Sequence, residues 1–213
     1  MKNDGNISLG FDNEVYPAGT HMCLIYNDEA ERRKIITRFL EGGLKTGEKV
    51  AYFVDSMPLT DVYAWLEEMD IGIPKKKLNA AFTAAEARKT YCPDNTFVPD
   101  RMLATLRDFY SQSVDQGYPH CRVSGEMGWA LKNLPGSDRI MEYESLVNVV
   151  VATHPVTAVC QYDANRFDGA TILKCLEVHP YMIVRGQVVH NPYYMTPEEF
   201  LGPLQKQPRE VKK

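Results

Sequence analysis

The chain has 213 residues, of which 44% are hydrophobic and 24% charged. That is an ordinary soluble globular composition, and it excludes wholesale disorder, collagen and a coiled-coil rod. A length of this order predicts one domain with elaborations, burying about 70% of its unfolded surface and needing no metal or disulfide to fold. Lys plus Arg number 24 against 28 Asp plus Glu, a net charge of −4, which argues against a general electrostatic grip on nucleic acid or anionic lipid.

The polar start MKNDGNISLGFDNE has no apolar core of the kind a signal peptide needs. The longest apolar run, Val147 to Thr153, is too short to span a bilayer and contains Asn148. A cytoplasmic protein with no membrane contact is expected. The five cysteines, Cys23, Cys92, Cys121, Cys160 and Cys175, form no C-x-x-C pair, and in a reducing compartment they read as buried thiols.

The predicted elements alternate between strand and helix. Residues Met1 to Tyr16 read as a frayed end. HMCLIY, His21–Tyr26, reads as a buried strand. Asp28 with Glu31 three residues on is a capping-box-like start for a helix carrying Ile35, Ile36, Phe39 and Leu40. Lys49–Asp55 is a second strand. Val62, Trp65, Leu66 and Met69 follow at helical spacing, and Leu78–Thr83 is a weaker strand. A long loop with Pro93 and Asn95 leads to a helix bearing Met102, Leu103, Leu106, Phe109, Tyr110 and Val114. Cys121–Trp129 begins as a strand and is expected to break at Gly125. Ile140, Tyr143, Val147 and Val150 mark another helix, Val156–Asp163 an apolar strand, and Ile172, Leu173 and Leu176 a further helix. YMIV and QVVH flank Arg185-Gly186 as a hairpin. Gln205 to Lys213 read as a second frayed end. The whole predicts a three-layer α/β domain over 17–204, with a mostly parallel sheet, helices on both faces and an antiparallel edge hairpin near the C-terminus.

In such sheets ligands bind outside the carboxyl ends of the parallel strands. Those ends carry Tyr26, Asn27 and Asp28; Asp55 and Ser56; Ser124, Gly125 and Glu126, with Trp129 just beyond; and Tyr162, Asp163 and Asn165. Aromatic and acidic groups suit a small, partly apolar ligand better than a polyphosphate; the alternative is that the Asp and Asn residues only cap helices. The segment NDEAERRK after the first strand has no glycine, and GGLKTGEK leads from helix into strand with Glu48 where a P-loop needs lysine. ATP hydrolysis and dinucleotide binding are therefore not expected.

His21 and Cys23 share one face of the first strand. They could form half of a metal site, with Cys160, Cys175 and His179 as partners, or be a packed thiol and a histidine bonded to backbone. Tyr143-Glu144 with Asn148 at helical spacing, and strand-borne Arg122, which could pair with a carboxylate, read as a buried ion pair or a solvated helix face. Trp129 in its Gly-containing loop is either a lid over a pocket or a packed anchor. Lys75-Lys76-Lys77 reads as a solvated turn. No cofactor is named by any of these patterns.

The segments HMCLIY, KVAYFVD, CRVSGEMGWAL, EYESLVN, AVCQYD and LEVHPYMIV, in that order from about His21 to His190, resemble the MEDS family of methanogen and methylotroph sensory domains. The resemblance implies a RecA/KaiC-like core without a working P-loop and a non-catalytic role in prokaryotic signal transduction, sensing simple hydrocarbon or one-carbon derivatives. Carried over by position, the family's typical residues fall on His21, Cys23, Tyr26, Arg122, Gly125, Trp129, Tyr143, Glu144, Asn148, Cys160, Tyr162 and His179. His21, Cys23, Tyr26, Glu126, Trp129 and Tyr162 are the expected walls of the ligand site, with the Glu126–Pro135 loop as its lid. The chain leaves little room for an output domain, so signalling is expected to pass through a histidine kinase or transcriptional regulator in trans, or through a homo-oligomer. The alternatives are a degenerate nucleotide-binding module, a thiolate enzyme using Cys23 or Cys160, and an assembly module.

Overall fold

The computed structural model describes residues 5–68 and 75–206. A small antiparallel pair, β1 (Asn6–Ser8) and β2 (Val15–Pro17), precedes the main domain. In chain order follow β3 (His21–Tyr26), α1 (Glu29–Lys45), β4 (Lys49–Val54), α2 (Leu59–Glu68), α3 (Lys75–Ala81), β5 (Phe82–Glu86), α4 (Ala87–Tyr91), α5 (Pro99–Asp115), β6 (Cys121–Glu126), a 3-10 turn (Met127–Lys132), α6 (Ile140–Val151), β7 (Val156–Asp163), α7 (Gly169–Val178), β8 (Tyr181–Val184), β9 (Gln187–His190) and α8 (Pro197–Lys206). The main sheet runs β5-β4-β6-β7-β3-β8-β9, parallel except for β9. This is the three-layer arrangement with a terminal antiparallel hairpin that the alternation predicts.

Period two divides every strand between two cores. Met22, Leu24, Val50, Tyr52 and Val159 pack with α1 and α2 on one face. Cys23, Ala51, Phe53, Val123, Ala158, Cys160 and Tyr162 pack with α4, α5, α6 and α7 on the other. Strands that are buried on both faces explain the near-continuous apolar runs of β4 and β7.

Several local readings change. The start of the chain is not frayed from residue 5 onward: the β1–β2 pair inserts Ile7 and Leu9 into the α1-side core. Leu78–Ala81 is the end of a helix, and the strand begins at Phe82; the Ala-rich half follows helix propensity. Strand β6 runs through Gly125, because the missing side chain makes room for the Tyr91 hydroxyl, which would stand 2.4 Å from a Cβ there. Helix α8 starts at a reciprocal cap in which Glu199 N–H donates to Thr196 Oγ1 at 3.3 Å and Glu199 Oε2 accepts the Thr196 N–H at 2.8 Å. The predicted Met69 position, and the ends 1–4 and 207–213, lie outside the described residues. Lys75-Lys76-Lys77, read as a turn, open α3.

Candidate functional site

The carboxyl ends of β3, β4, β6 and β7 meet in a narrow crevice of about 10 Å³ lined by Tyr26, Asp55, Ser56, Glu126, Gln161, Asp163 and Arg166, among others. A space of that size holds about one water molecule. Its floor is a buried network. Glu126 accepts the backbone N–H groups of Asp55 at 2.7 Å and Ser56 at 2.6 Å through one oxygen. Its other oxygen takes the Arg32 guanidinium at 2.9 Å, the Ser56 hydroxyl at 3.0 Å and the Tyr52 hydroxyl. Arg32 also donates to Gln161 Oε1 at 2.9 Å and pairs with Glu29, and its guanidinium stands 5.4 Å from the Tyr26 ring centre. Burial, with Asp163 and Glu126 nearby and only partly offset by Arg32, pushes the Tyr26 hydroxyl up to about 12. It is therefore a neutral donor at physiological pH.

This network occupies the ground where the first helix of a P-loop protein receives phosphate. Helix α1 does begin there, but Asp28 caps it by accepting the Glu31 N–H at 2.8 Å, and Glu29 and Glu31 fill the first turn. A helix N-terminus already supplied with carboxylates repels a polyphosphate rather than binding it.

One layer deeper, between the sheet and α6 and α7, lies a second polar centre. His21 and Cys160 reach into it from the adjacent strands β3 and β7, and Glu144 descends from α6. His179 caps α7. Glu144 Oε2 lies 3.2 Å from His21 Nε2, 3.3 Å from Cys160 Sγ and 3.5 Å from His179 Nε2, and Cys160 Sγ lies 3.5 Å from His21 Nε2. Tyr162 donates to Glu144 Oε1 at 2.7 Å. The His21, Glu144 and His179 side chains are wholly enclosed. His21, Glu144, Cys160 and His179 each present one donor atom, all within 4.8 Å of one another, and Cys23, Cys175 and His179 form a second such group.

Enclosure sets the charge states. Burial and the neighbouring His179 depress the His21 imidazole despite Glu144, so it is neutral. Burial also works against His179, but Cys23 and Glu144 prevail and lift it to about 9. Burial would raise Glu144, yet His179 and His21 hold it well below the usual carboxylate range. Burial beside Glu144 pushes the Cys160 thiol well up, while a hydrogen bond from Cys175 draws the Cys23 thiol down against its burial.

Trp129 belongs to neither pocket. It stacks on Tyr91 with centroids 4.9 Å apart and tilts over Phe97 at 4.8 Å, wholly buried. It anchors the 3-10 turn that otherwise roofs the crevice through Met127 and Gly128. Of the six expected wall residues, His21, Cys23 and Tyr162 therefore border the deep centre, Tyr26 and Glu126 the crevice, and Trp129 the aromatic box between α4 and the turn. Arg32, Gln161 and Arg166 were not singled out in the sequence. The first is hidden among the charges of ERRK, which look like a solvated helix face. A separate groove of about 420 Å³ runs between β4, β5 and α5, lined by Ala51, Phe53, Ala85, Leu106 and Phe109, among others.

Together these features define a RecA/KaiC-like α/β domain whose phosphate ground is filled by its own side chains. The fold is shared, at 14% identity, with the flagellar accessory protein FlaH of Methanocaldococcus jannaschii (TM-score 0.59, 86% of this chain and 83% of that one). It is also shared with the KaiC-like protein PH0186 of Pyrococcus horikoshii OT3 (14% identity, TM-score 0.55, 78% and 71%). The sequence profile described as MEDS, MEthanogen/methylotroph, DcmR Sensory domain, matches residues 20–180. The chain belongs to the MEDS family of sensory domains. It is 27% identical over 168 residues to the transcriptional repressor DcmR of Methylorubrum extorquens (strain DSM 6343 / CIP 106787 / DM4), a match covering 75% of this chain and 57% of that protein. Among the described residues no helix is long and apolar enough to cross a membrane.

Proposed function

We propose that residues 17–204 act as one cytoplasmic, non-catalytic sensory domain for a small polar one-carbon derivative, of the size of methanol or a methylamine, bound at the carboxyl-end crevice. The observation that carries this reading is the Arg32–Glu126–Tyr52 network. It fills the carboxyl ends of β3, β4, β6 and β7 with the chain's own side chains and leaves a crevice too narrow for a nucleotide, which admits a one-carbon molecule as the turn above it opens. Tyr26, Glu126 and Gln161 orient the ligand, and Asp55, Asp163 and Arg166 supply charge around it. The gate is the Met127–Lys132 turn, fastened on one side by Trp129 in its aromatic box and on the other by Lys132, which donates to Asp55 at 2.6 Å. Ligand binding shifts the population between closed and open turns. The signal then leaves through a regulatory partner, with control of transcription, the role named for the repressor relative, as the output.

A second reading rests on the 420 Å³ groove, whose apolar walls suit a larger hydrocarbon derivative. A thermal-shift panel of methanol, methylamines, methyl sulfides, dichloromethane, short-chain hydrocarbons and ATP separates the two. A crevice ligand at about 100 times its Kd raises the midpoint by roughly 5–10 °C, and Arg166→Ala removes the shift. A response confined to hydrocarbons and lost in Ala85→Trp moves the ligand to the groove. A response to ATP alone defeats the sensory reading.

A further inference from the structure

We propose that His21, Glu144, Cys160 and His179 hold a divalent metal ion, zinc by preference, at the deep centre between β3, β7, α6 and the end of α7. The distances around Glu144 and between Cys160 and His21 are those of a coordination polyhedron. A tetrahedral ion with bonds of about 2.0–2.3 Å to nitrogen, oxygen and sulfur has edges of roughly 3.3–3.6 Å between its ligands. Four of the six edges are 3.2, 3.3, 3.5 and 3.5 Å, and the other two lie within 4.8 Å.

The orientation of His21, His179 and Glu144 is fixed from behind. Asn148 donates its amide to the Val178 carbonyl at 2.8 Å and the Ser145 carbonyl at 3.2 Å, so its Oδ1 faces His21. His21 Nδ1–H must therefore donate to that oxygen at 3.0 Å, and the Nε2 lone pair turns into the centre. His179 Nδ1–H donates to the Cys175 carbonyl at 2.7 Å, which aims its Nε2 the same way. Tyr162 claims Glu144 Oε1 and leaves Oε2 for the ion. Such outer partners, present here for three of the four ligands, are the usual support of a metal site.

An independent observation points to an occupant. His179 Nε2 is buried and has no hydrogen-bond partner, although it faces a carboxylate oxygen and a thiol. As an imidazolium it meets the Glu144 charge without a hydrogen bond, whereas the Nε2 lone pair of His21, whose Nδ1–H is spent on Asn148, stands 3.2 Å from the same carboxylate oxygen; a cation within reach of all four atoms satisfies both. The second group, Cys23, Cys175 and His179, is the poorer candidate because His179 Nδ1 is already spent on the Cys175 carbonyl. Two imidazoles, a thiolate and a carboxylate form a borderline donor set that suits zinc or cobalt rather than magnesium or calcium. Binding displaces the thiol proton that Cys160 now donates to Glu144 and the Nε2 proton of His179, both released to solvent. Four protein ligands close the shell, so the ion ties two strands to two helices, and its presence does not depend on what the crevice binds.

The test uses the full chain. Its metal content is measured after expression with zinc; the chain is then unfolded with a chelator and refolded with Co²⁺. One metal per chain is expected, with a tetrahedral cobalt spectrum and a thiolate-to-cobalt charge-transfer band that zinc abolishes. Cys160→Ser should lose that band, and Cys92→Ser should keep it. Asn148→Ala should weaken cobalt binding about 10–100-fold while the chain stays folded by circular dichroism. His21→Gln, which keeps a polar group facing Asn148, serves if Cys160→Ser does not fold. A folded wild-type chain that takes up no cobalt overturns the site, as does a charge-transfer band that survives Cys160→Ser. Cobalt binding without any response to organic molecules supports the metal and removes the crevice sensor; the converse removes the metal alone.

Discussion

Tyr162, near the carboxyl end of β7, donates its hydroxyl to Glu144 on α6 at 2.7 Å, and both side chains are wholly buried. Deleting the hydroxyl in Tyr162→Phe leaves a buried carboxylate oxygen without its donor. A hydrogen bond to a charged group of this kind is worth about 1.5–3 kcal/mol. Urea unfolding should show a loss in that range at an unchanged slope. A loss below about 0.5 kcal/mol would mean that Glu144 is not ionised in the folded chain.

The Arg32–Glu126 pair predicts a strong asymmetry between single and double substitutions. Both side chains are almost fully enclosed, so solvent does not screen them. Arg32→Met leaves the Glu126 charge with Tyr52, Ser56 and two backbone donors only and should cost about 3–5 kcal/mol. Glu126→Gln leaves the guanidinium with Glu29 and Gln161 and should cost less than Arg32→Met. The double variant should be less damaging than the sum, because each change removes the charge that the other leaves unpaired. Strict additivity in a double-mutant cycle would show that the two groups are not coupled.

How much of this could be read in advance is clearest at β3. Its alternation puts His21 and Cys23 on one face, and the capping pattern at Asp28 locates the helix that follows; both follow from local geometry. Cys160, Cys175 and His179 could be named as partners by residue type alone. What the sequence could not supply was the parallel pairing that sets Cys23 opposite Cys160, or the helix packing that lowers Glu144 between two imidazoles. Gly125 resembled a strand break because the reason for it, the Tyr91 hydroxyl, comes from a different element. The cap at Thr196 and Glu199 has a local signature in the run TPEE, whereas the insertion of Ile7 and Leu9 into the core rests on tertiary burial with little local signal. Trp129 was ambiguous between lid and anchor for the same reason: its stacking partner Tyr91 lies on α4, far back in the chain.

Trp129 should be the more costly of the two tryptophans to truncate at its own site. It is wholly buried among Tyr91, Phe97 and Tyr143. Trp129→Ala should cost about 3–5 kcal/mol, and Trp129→Phe appreciably less, since the ring stack survives. Thermal unfolding of both variants checks the order. In a Trp65→Phe background the emission of Trp129 reports its turn alone, and a crevice ligand should change it. An unchanged spectrum in the presence of a ligand that raises the midpoint would remove the turn from the gating role.

Gly128 offers a way to close the crevice from its roof. A Cβ at this position would stand 2.8 Å from both Arg166 Nη1 and Asp55 Oδ2. Arg166 is long and can give way, whereas Asp55 is held by Lys132. A small residue here should thus displace the guanidinium rather than unfold the chain. Gly128→Ala is expected to lower stability by about 1–3 kcal/mol and to weaken any crevice ligand at least tenfold, with metal content unaltered. Titration of the folded variant by calorimetry, beside wild type, makes the comparison. Equal affinity in the two would place the ligand away from the Gly128, Asp55 and Arg166 wall.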